Sequence, residues 1–167
     1  MKKAICLLFA VLMVLSLTGC NDNTQTITCV ELNMQVPKDM KDVNQTEEIK
    51  EYGFTFAMEN ERFFICGLRQ DFVDIENGRS MTLEEYASQL LTLYGISDRA
   101  TTGKRESKGY VYLRFNLPLE SGMNEYLCGI FKSSGAFWLI QINTTAEKFD
   151  ETKFLQYLDT VNFSPLD

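Results

Sequence analysis

From Thr26 onward the hydrophobic positions recur mostly at every second residue. Val30, Leu32, Met34 and Val36 alternate with Glu31, Asn33 and Gln35, which predicts a strand with one wet face, ended by Pro37. Tyr52, Phe54, Phe56 and Met58 repeat the pattern. Glu59-Asn60-Glu61 reads as a turn and Arg62 to Gln70 as the returning strand. The period then changes. Leu83, Tyr86, Ala87, Leu90, Leu91 and Tyr94 follow helical spacing. Thr82, with Glu85 three residues on, is a capping-box signature, and Gly95 is the expected stop.

Arg99 to Lys108 is polar and reads as a hairpin arm. Val111, Leu113, Phe115 and Leu117 then alternate with Tyr110, Tyr112, Arg114 and Asn116, which places the two tyrosines on the polar side of their strand. Glu125 to Lys132 and Phe137 to Asn143 flank the turn Ser133-Ser134-Gly135-Ala136. The second of these strands is apolar on both faces at its start, so it is expected to run centrally between covering layers. Thr144 or Thr145 can cap a last helix, which buries Phe149, Phe154, Leu155 and Leu158. Val161 to Phe163 closes the domain. Strands, helix, strands, helix predicts an α+β domain: a central antiparallel sheet of about six to eight strands with two main helices packed against it.

The amino terminus carries a different pattern. Lys2 and Lys3 precede the almost purely apolar run Ala4 to Leu17. That run is too short to span a hydrocarbon core of about 30 Å, and has the length of a signal-peptide core. Leu17-Thr18-Gly19-Cys20 follows, and polarity begins at once with Asn21 and Asp22. An aliphatic residue, two small ones and a cysteine resemble the lipobox of bacterial lipoproteins. The resemblance implies recognition of Leu17, Thr18 and Gly19 by a signal peptidase, cleavage before Cys20, and lipid on the Cys20 thiol and on the new amino terminus. Several acyl chains on one residue anchor stably, where one chain binds only marginally. The organisation expected is a cleaved segment 1–19, a lipidated tether 20–25 and one domain 26–167. The location expected is the extracytoplasmic face of a cell membrane.

Loss of residues 1–19 removes two lysines and no acid, so the formal net charge moves from −7 to −9. A chain so acidic is a poor candidate for nucleic acid. Cys29, Cys66 and Cys128 remain beside Cys20, with no C-x-x-C spacing. Cys66 and Cys128 lie inside apolar runs and read as small buried hydrophobes. The domain is therefore expected to fold without metal, cofactor or obligatory disulfide. There is no histidine, which removes serine–histidine and cysteine–histidine catalysis and imidazole metal sites.

Two stretches carry weak candidate chemistry. Asp74, Glu76, Ser80 and Glu85 occupy ligand positions of an EF-hand-like loop, but Gly78 stands where a ligand belongs and Arg79 where glycine belongs. The plainer reading is a strand-to-helix loop whose acids suit the helix dipole. Arg99, Lys104, Arg105 and Lys108 form a basic cluster in an acidic chain, with Tyr110 and Tyr112 close by in sequence. They are the candidate surface for an acidic partner or lipid headgroups; the plain alternative is a solvated arm.

The order of elements, with Gly78-x-Ser80-x-Thr82-Leu83-Glu84-Glu85-Tyr86, Phe137-Trp138, Phe149-Asp150 and Val161-x-Phe163, resembles the PsbP-like superfamily. That fold is shared by the extrinsic photosystem II protein, a yeast Ran-binding import factor and many bacterial lipoproteins. The resemblance implies a central antiparallel sheet with packed helices. It transfers no function, since no positions here match the functional residues of those relatives. The expected role is a membrane-anchored, non-catalytic binding or assembly module of the cell envelope, with an envelope protein or a small ligand as partner. The alternatives are a carboxylate-dependent envelope hydrolase and a calcium-dependent structural lipoprotein.

Overall fold

The structure is a computed structural model and describes residues 23–119 and 122–165. Leu17 to Cys20 lie outside the described residues. The chain runs β1 (Thr24–Cys29), β2 (Leu32–Pro37), β3 (Lys41–Asp42), α1 (Glu47–Lys50), β4 (Phe56–Glu59), β5 (Phe64–Asp71) and α2 (Leu83–Leu93). It continues through β6 (Thr101–Arg105), β7 (Tyr110–Leu119), β8 (Gly122–Lys132), β9 (Ala136–Thr145), α3 (Glu151–Leu158) and β10 (Asn162–Phe163). No helix among the described residues is long and apolar enough to cross a membrane.

Seven strands form one antiparallel sheet in the order β3-β4-β5-β9-β8-β7-β6, and β1, β2 and β10 form a second of three. The α+β class follows, with an antiparallel sheet as the centre. β9 is its middle strand, as its two apolar faces required. Phe137 packs on the α2 side, in a cluster with Tyr86, Leu90, Val111 and Ile130. Trp138, Ile140 and Ile142 pack on the other side, against Leu32, Met34 and Val36 of β2 and Phe154 and Leu158 of α3. The sheet is thus sandwiched between α2 and a layer made of the small sheet and α3.

Local chemistry explains the helix ends. The Thr82 hydroxyl accepts from the Glu85 amide and the Glu85 carboxylate accepts from the Thr82 amide, which closes the expected capping box. Gly95 sits at φ +64° just past α2, a conformation that costs glycine little. The last helix is capped differently from expectation. β9 runs on through Thr145, Thr144 is buried with its hydroxyl donating to the Arg62 carbonyl, and Asp150 accepts from the Lys153 amide instead.

Two strand boundaries also differ. The stretch expected to be one strand from Val30 to Val36 is broken by a tight turn at Val30-Glu31, with Cys29 paired to Leu32. Val30 adopts φ +53°, costly for a β-branched side chain, and is 57% exposed. Tyr52 and Phe54 precede β4 rather than belonging to it; their rings stack at 5.6 Å.

Candidate functional site

α2 covers only part of its face of the sheet. Beyond its carboxyl end lies a cleft of about 300 Å³. Strand register supplies the floor. Cys66 on β5, Gln141 on β9, Cys128 on β8 and Leu113 on β7 stand in one row, each opposite the next. Tyr126 and Phe115 occupy the following row and stack at 5.0 Å with nearly parallel planes. Leu90, Tyr94 and Ile96 wall one end, and Phe54 also lines the cleft.

The chemistry of this lining is one-sided. Among the described residues that line it there is no charged side chain. Gln141 is the one amide, and its bonds are long: it donates to Asn143 Oδ1 at 3.5 Å and accepts from the Cys128 thiol at 3.8 Å. An amide has two donors and two acceptor lone pairs, so hydrogen-bonding capacity remains for a ligand. Small-molecule sites are typically concave, mostly apolar and larger than about 300 Å³, with a few placed polar groups. This cleft sits at the lower end of that range.

The two thiols are not a redox pair. Both stand opposite Gln141 on flanking strands, two strand spacings apart, which is about 9–10 Å between Cα atoms. A disulfide needs less than about 7 Å. Both are free, as is Cys29. Burial pushes the Cys66 thiol up to about 12, and burial with the neighbouring Cys66 raises Cys128 too. The thiolate is the reactive form, so both are inert. Iodoacetamide at neutral pH is expected to modify Cys29, which is half-buried, before either of the others. Peptide mass mapping checks this; fast labelling of Cys66 or Cys128 in the folded protein would show a cleft open to water at its floor.

On the opposite face of the sheet lies a polar cluster that alternation along the sequence did not reveal. Glu31 is 1% exposed. Its carboxylate accepts from Trp138 Nε1 at 3.0 Å, Ser133 Oγ at 2.9 Å and Arg69 Nε at 3.1 Å. Arg69 also pairs with Asp71. Burial alone raises the Glu31 carboxyl pKa, but the bonds from Trp138, its own backbone, Ser133 and Arg69 outweigh it and hold the group below its ordinary value. A carboxyl held in this way is a structural clamp and a poor proton donor.

The expected site residues are scattered. Arg99 and Lys108 are exposed. The stretch expected to be an arm is β6, the sheet's edge strand, and two of its cations have partners. Lys104 meets Glu84 at 2.9 Å, while Arg105 pairs with Asp159, which also accepts from the Tyr110 hydroxyl at 2.8 Å. Tyr110 is 1% exposed and Tyr112 packs against the same core, so the strand face expected to be polar is covered. Gly103 makes room for this: a Cβ there would stand 2.2 Å from the Tyr112 ring. The candidate calcium residues are not gathered. Asp74 ends a 3-10 turn, Ser80 donates to the Asn77 carbonyl, Glu85 is spent on the helix cap, and no group of three possible ligands converges among the described residues.

Neither a family model nor a curated protein matches this chain. A solved structure from Bacteroides thetaiotaomicron VPI-5482, determined at 1.50 Å resolution, is similar in fold with a TM-score of 0.52 at 12% identity. The likeness covers 80% of this chain and 45% of that one, so this chain spans less than half of the neighbour's length. At that identity the likeness shows the fold alone: an α+β arrangement.

Proposed function

We propose that this chain is a lipid-anchored protein of the cell envelope, attached through Cys20, whose folded part is a non-catalytic module that takes a small apolar molecule into the cleft. The observation that carries the reading is the lining itself: an apolar, uncharged cavity of ligand size with one under-used amide at its floor. The order of Lys2-Lys3, the apolar run and Leu17-Thr18-Gly19-Cys20 supports the anchor. The α+β sandwich is compatible with the PsbP-like resemblance, which transfers no role by itself. A carboxylate-pair hydrolase needs two acids facing one cleft. No acid lines this one among the described residues, and Glu31 and Asp71 both lie against Arg69 on the other face.

The test has two arms. In membranes of an expressing bacterium, the amino-terminal peptide is expected to begin at a lipid-modified Cys20, and Cys20→Ala to accumulate as the unprocessed precursor. A mature chain beginning elsewhere refutes the anchor. Purified protein is then titrated with phenylnaphthylamine, a neutral aromatic fluorophore that brightens out of water. Saturable brightening at a single site is expected. Its absence refutes the cleft as a ligand site and leaves the anchor to stand on its own evidence.

A further inference from the structure

We infer that the cleft selects an uncharged amphiphile: a molecule with an apolar body and one hydroxyl, carbonyl or amide group, which docks on the paired amides of Gln141 and Asn143. The inference rests on the reading of the cleft as a ligand site and adds the chemical class of the ligand to it. Strand register puts the two amides together. They stand two residues apart on β9, so both project from the cleft face of the central strand, while Ile142 between them is buried in the opposite core. Gln141 stands opposite Cys66 on one side and Cys128 on the other, and Asn143 stands opposite Phe64 and Tyr126. A short polar line thus runs along the middle of the sheet, with thiol or aromatic side chains to either side.

That line is under-bonded. Gln141 Nε2 donates to Asn143 Oδ1 at 3.5 Å, and the Cys128 thiol donates to Gln141 Oε1 at 3.8 Å. A good N–H···O bond is about 2.9–3.0 Å. Among the described residues no protein group accepts from Asn143 Nδ2. Both side chains are half-buried, so a ligand reaches them from the cleft. Each amide carries two donors and an accepting carbonyl oxygen. A hydroxyl or carbonyl placed here gains bonds that the pair does not make to itself. The amides stand on the central strand rather than on a loop, which fixes their position.

The rest of this face decides the charge of the ligand. Its cations are already paired or distant. Lys132 Nζ donates to the Arg79 and Met81 carbonyls, and Lys132 is four residues from Cys128 along β8, about 14 Å. Lys104, on β6 and three strands from β9, pairs with Glu84 of α2. Glu59 stands opposite Phe64 and has Lys41 on its far side. Cys66 and Cys128 keep their protons at neutral pH, because burial pushes both thiols up. Ring faces attract cations, but Phe115 and Tyr126 lie nearly parallel at 5.0 Å and each turns one face to the other. An ionised carboxylate or ammonium lodged in this cleft loses water and meets no counter-charge. A neutral polar group loses less, and bonds from the amides offset that loss.

The test loads the full chain with phenylnaphthylamine and displaces the fluorophore with decanol, decanoate or decylammonium, each below its micelle-forming concentration. The three share one tail and differ in the head. Decanol is expected to displace at a concentration roughly tenfold or more below that of either ion. Gln141→Met keeps the length of the side chain and removes the amide. It is expected to weaken decanol about fivefold, the size of one neutral hydrogen bond, and to leave butylbenzene, which has no group for the amides, unchanged. Each variant's own affinity for the fluorophore enters the comparison, and circular dichroism checks its fold. If Gln141→Met does not fold, Asn143→Ala carries the same comparison with the same expectation. Equal displacement by the three, displacement by none of them, or preference for either ion overturns the neutral head while the cleft stands as a ligand site. Equal weakening of decanol and butylbenzene overturns the docking on the amides and leaves Gln141 a spacer. No binding of the fluorophore at all removes the reading of the cleft, and this inference with it.

Discussion

Glu31→Ala is expected to lower stability by about 3 kcal/mol, the low end of the 3–5 typical for breaking a buried ion pair, because Arg69 keeps Asp71. For a domain of this size that is a fall of roughly 6–12 °C in unfolding midpoint. The loss has named parts. Trp138 Nε1 is left without its acceptor in a residue that is 0% exposed, and the Ser133 hydroxyl loses one of its partners. Beside it, Val30 stands at φ +53°, a strained conformation for a β-branched residue. The direction with pH follows from the lowered Glu31 pKa. A carboxyl whose folded pKa is depressed contributes stability that is present above its unfolded pKa of about 4.3 and is lost as pH falls through the folded pKa. Glu31→Gln, the neutral isostere, is therefore expected to be less stable than the parent at pH 7. The gap should close in acid, where the parent carboxyl is protonated too. Denaturant unfolding across that range is the measurement. A gap that stays constant into strong acid would show that the charge on Glu31 contributes nothing and that packing alone accounts for the site.

Why the clamp was invisible in the sequence is a matter of distance and of period. Glu31 falls in step with Asn33 and Gln35, so alternation assigns it to the wet face. In a turn the period of two does not apply, and nothing local marks the turn: Val30-Glu31 has none of the asparagine or glycine that hairpin turns prefer. The partners stand 38, 102 and 107 positions away. Where the determinants are local, the sequence was readable. The capping box at Thr82 and the stop at Gly95 use groups within one turn of helix, and both are present in the structure. The central place of β9 was readable because a strand apolar on both faces needs two covers. The same argument applied to Tyr110-Val111-Tyr112-Leu113 would have found both faces of β7 buried, since the tyrosines carry as much apolar area as the residues between them.

The cleft was legible only as geometry, never as a motif. Its floor residues carry the same alternating pattern as any core strand. What opens it is a mismatch of lengths. α2 has 11 residues, about 16 Å at 1.5 Å each, while β7 has 10, about 34 Å at 3.4 Å each. One helix of that length covers about half of the strands beneath it, and no second helix lies over the remainder among the described residues.

Filling that remainder separates binding from stability. Cys66→Phe is expected to weaken phenylnaphthylamine binding tenfold or more, a loss of about 1.4 kcal/mol or greater. Cys66 is on the floor, on β5, beside Gln141, and its side chain points into the cleft. In an ordinary core position a cysteine-to-phenylalanine change forces neighbours aside at a cost of about 1–3 kcal/mol. Here the ring has the cavity to enter, and aromatic residues suit a strand. The unfolding midpoint is therefore expected to stay within about 4 °C of the parent, the shift that roughly 1 kcal/mol produces in a domain of this size. Cys66→Ala leaves the space open and should keep the binding. Fluorescence titration and thermal unfolding of the three proteins give the comparison. If the phenylalanine variant folds and binds as the parent does, the fluorophore sits elsewhere and the cleft is a packing defect. If it unfolds instead, the space is smaller than its lining implies, and Leu139→Phe on β9 gives a second approach to the same volume from the central strand.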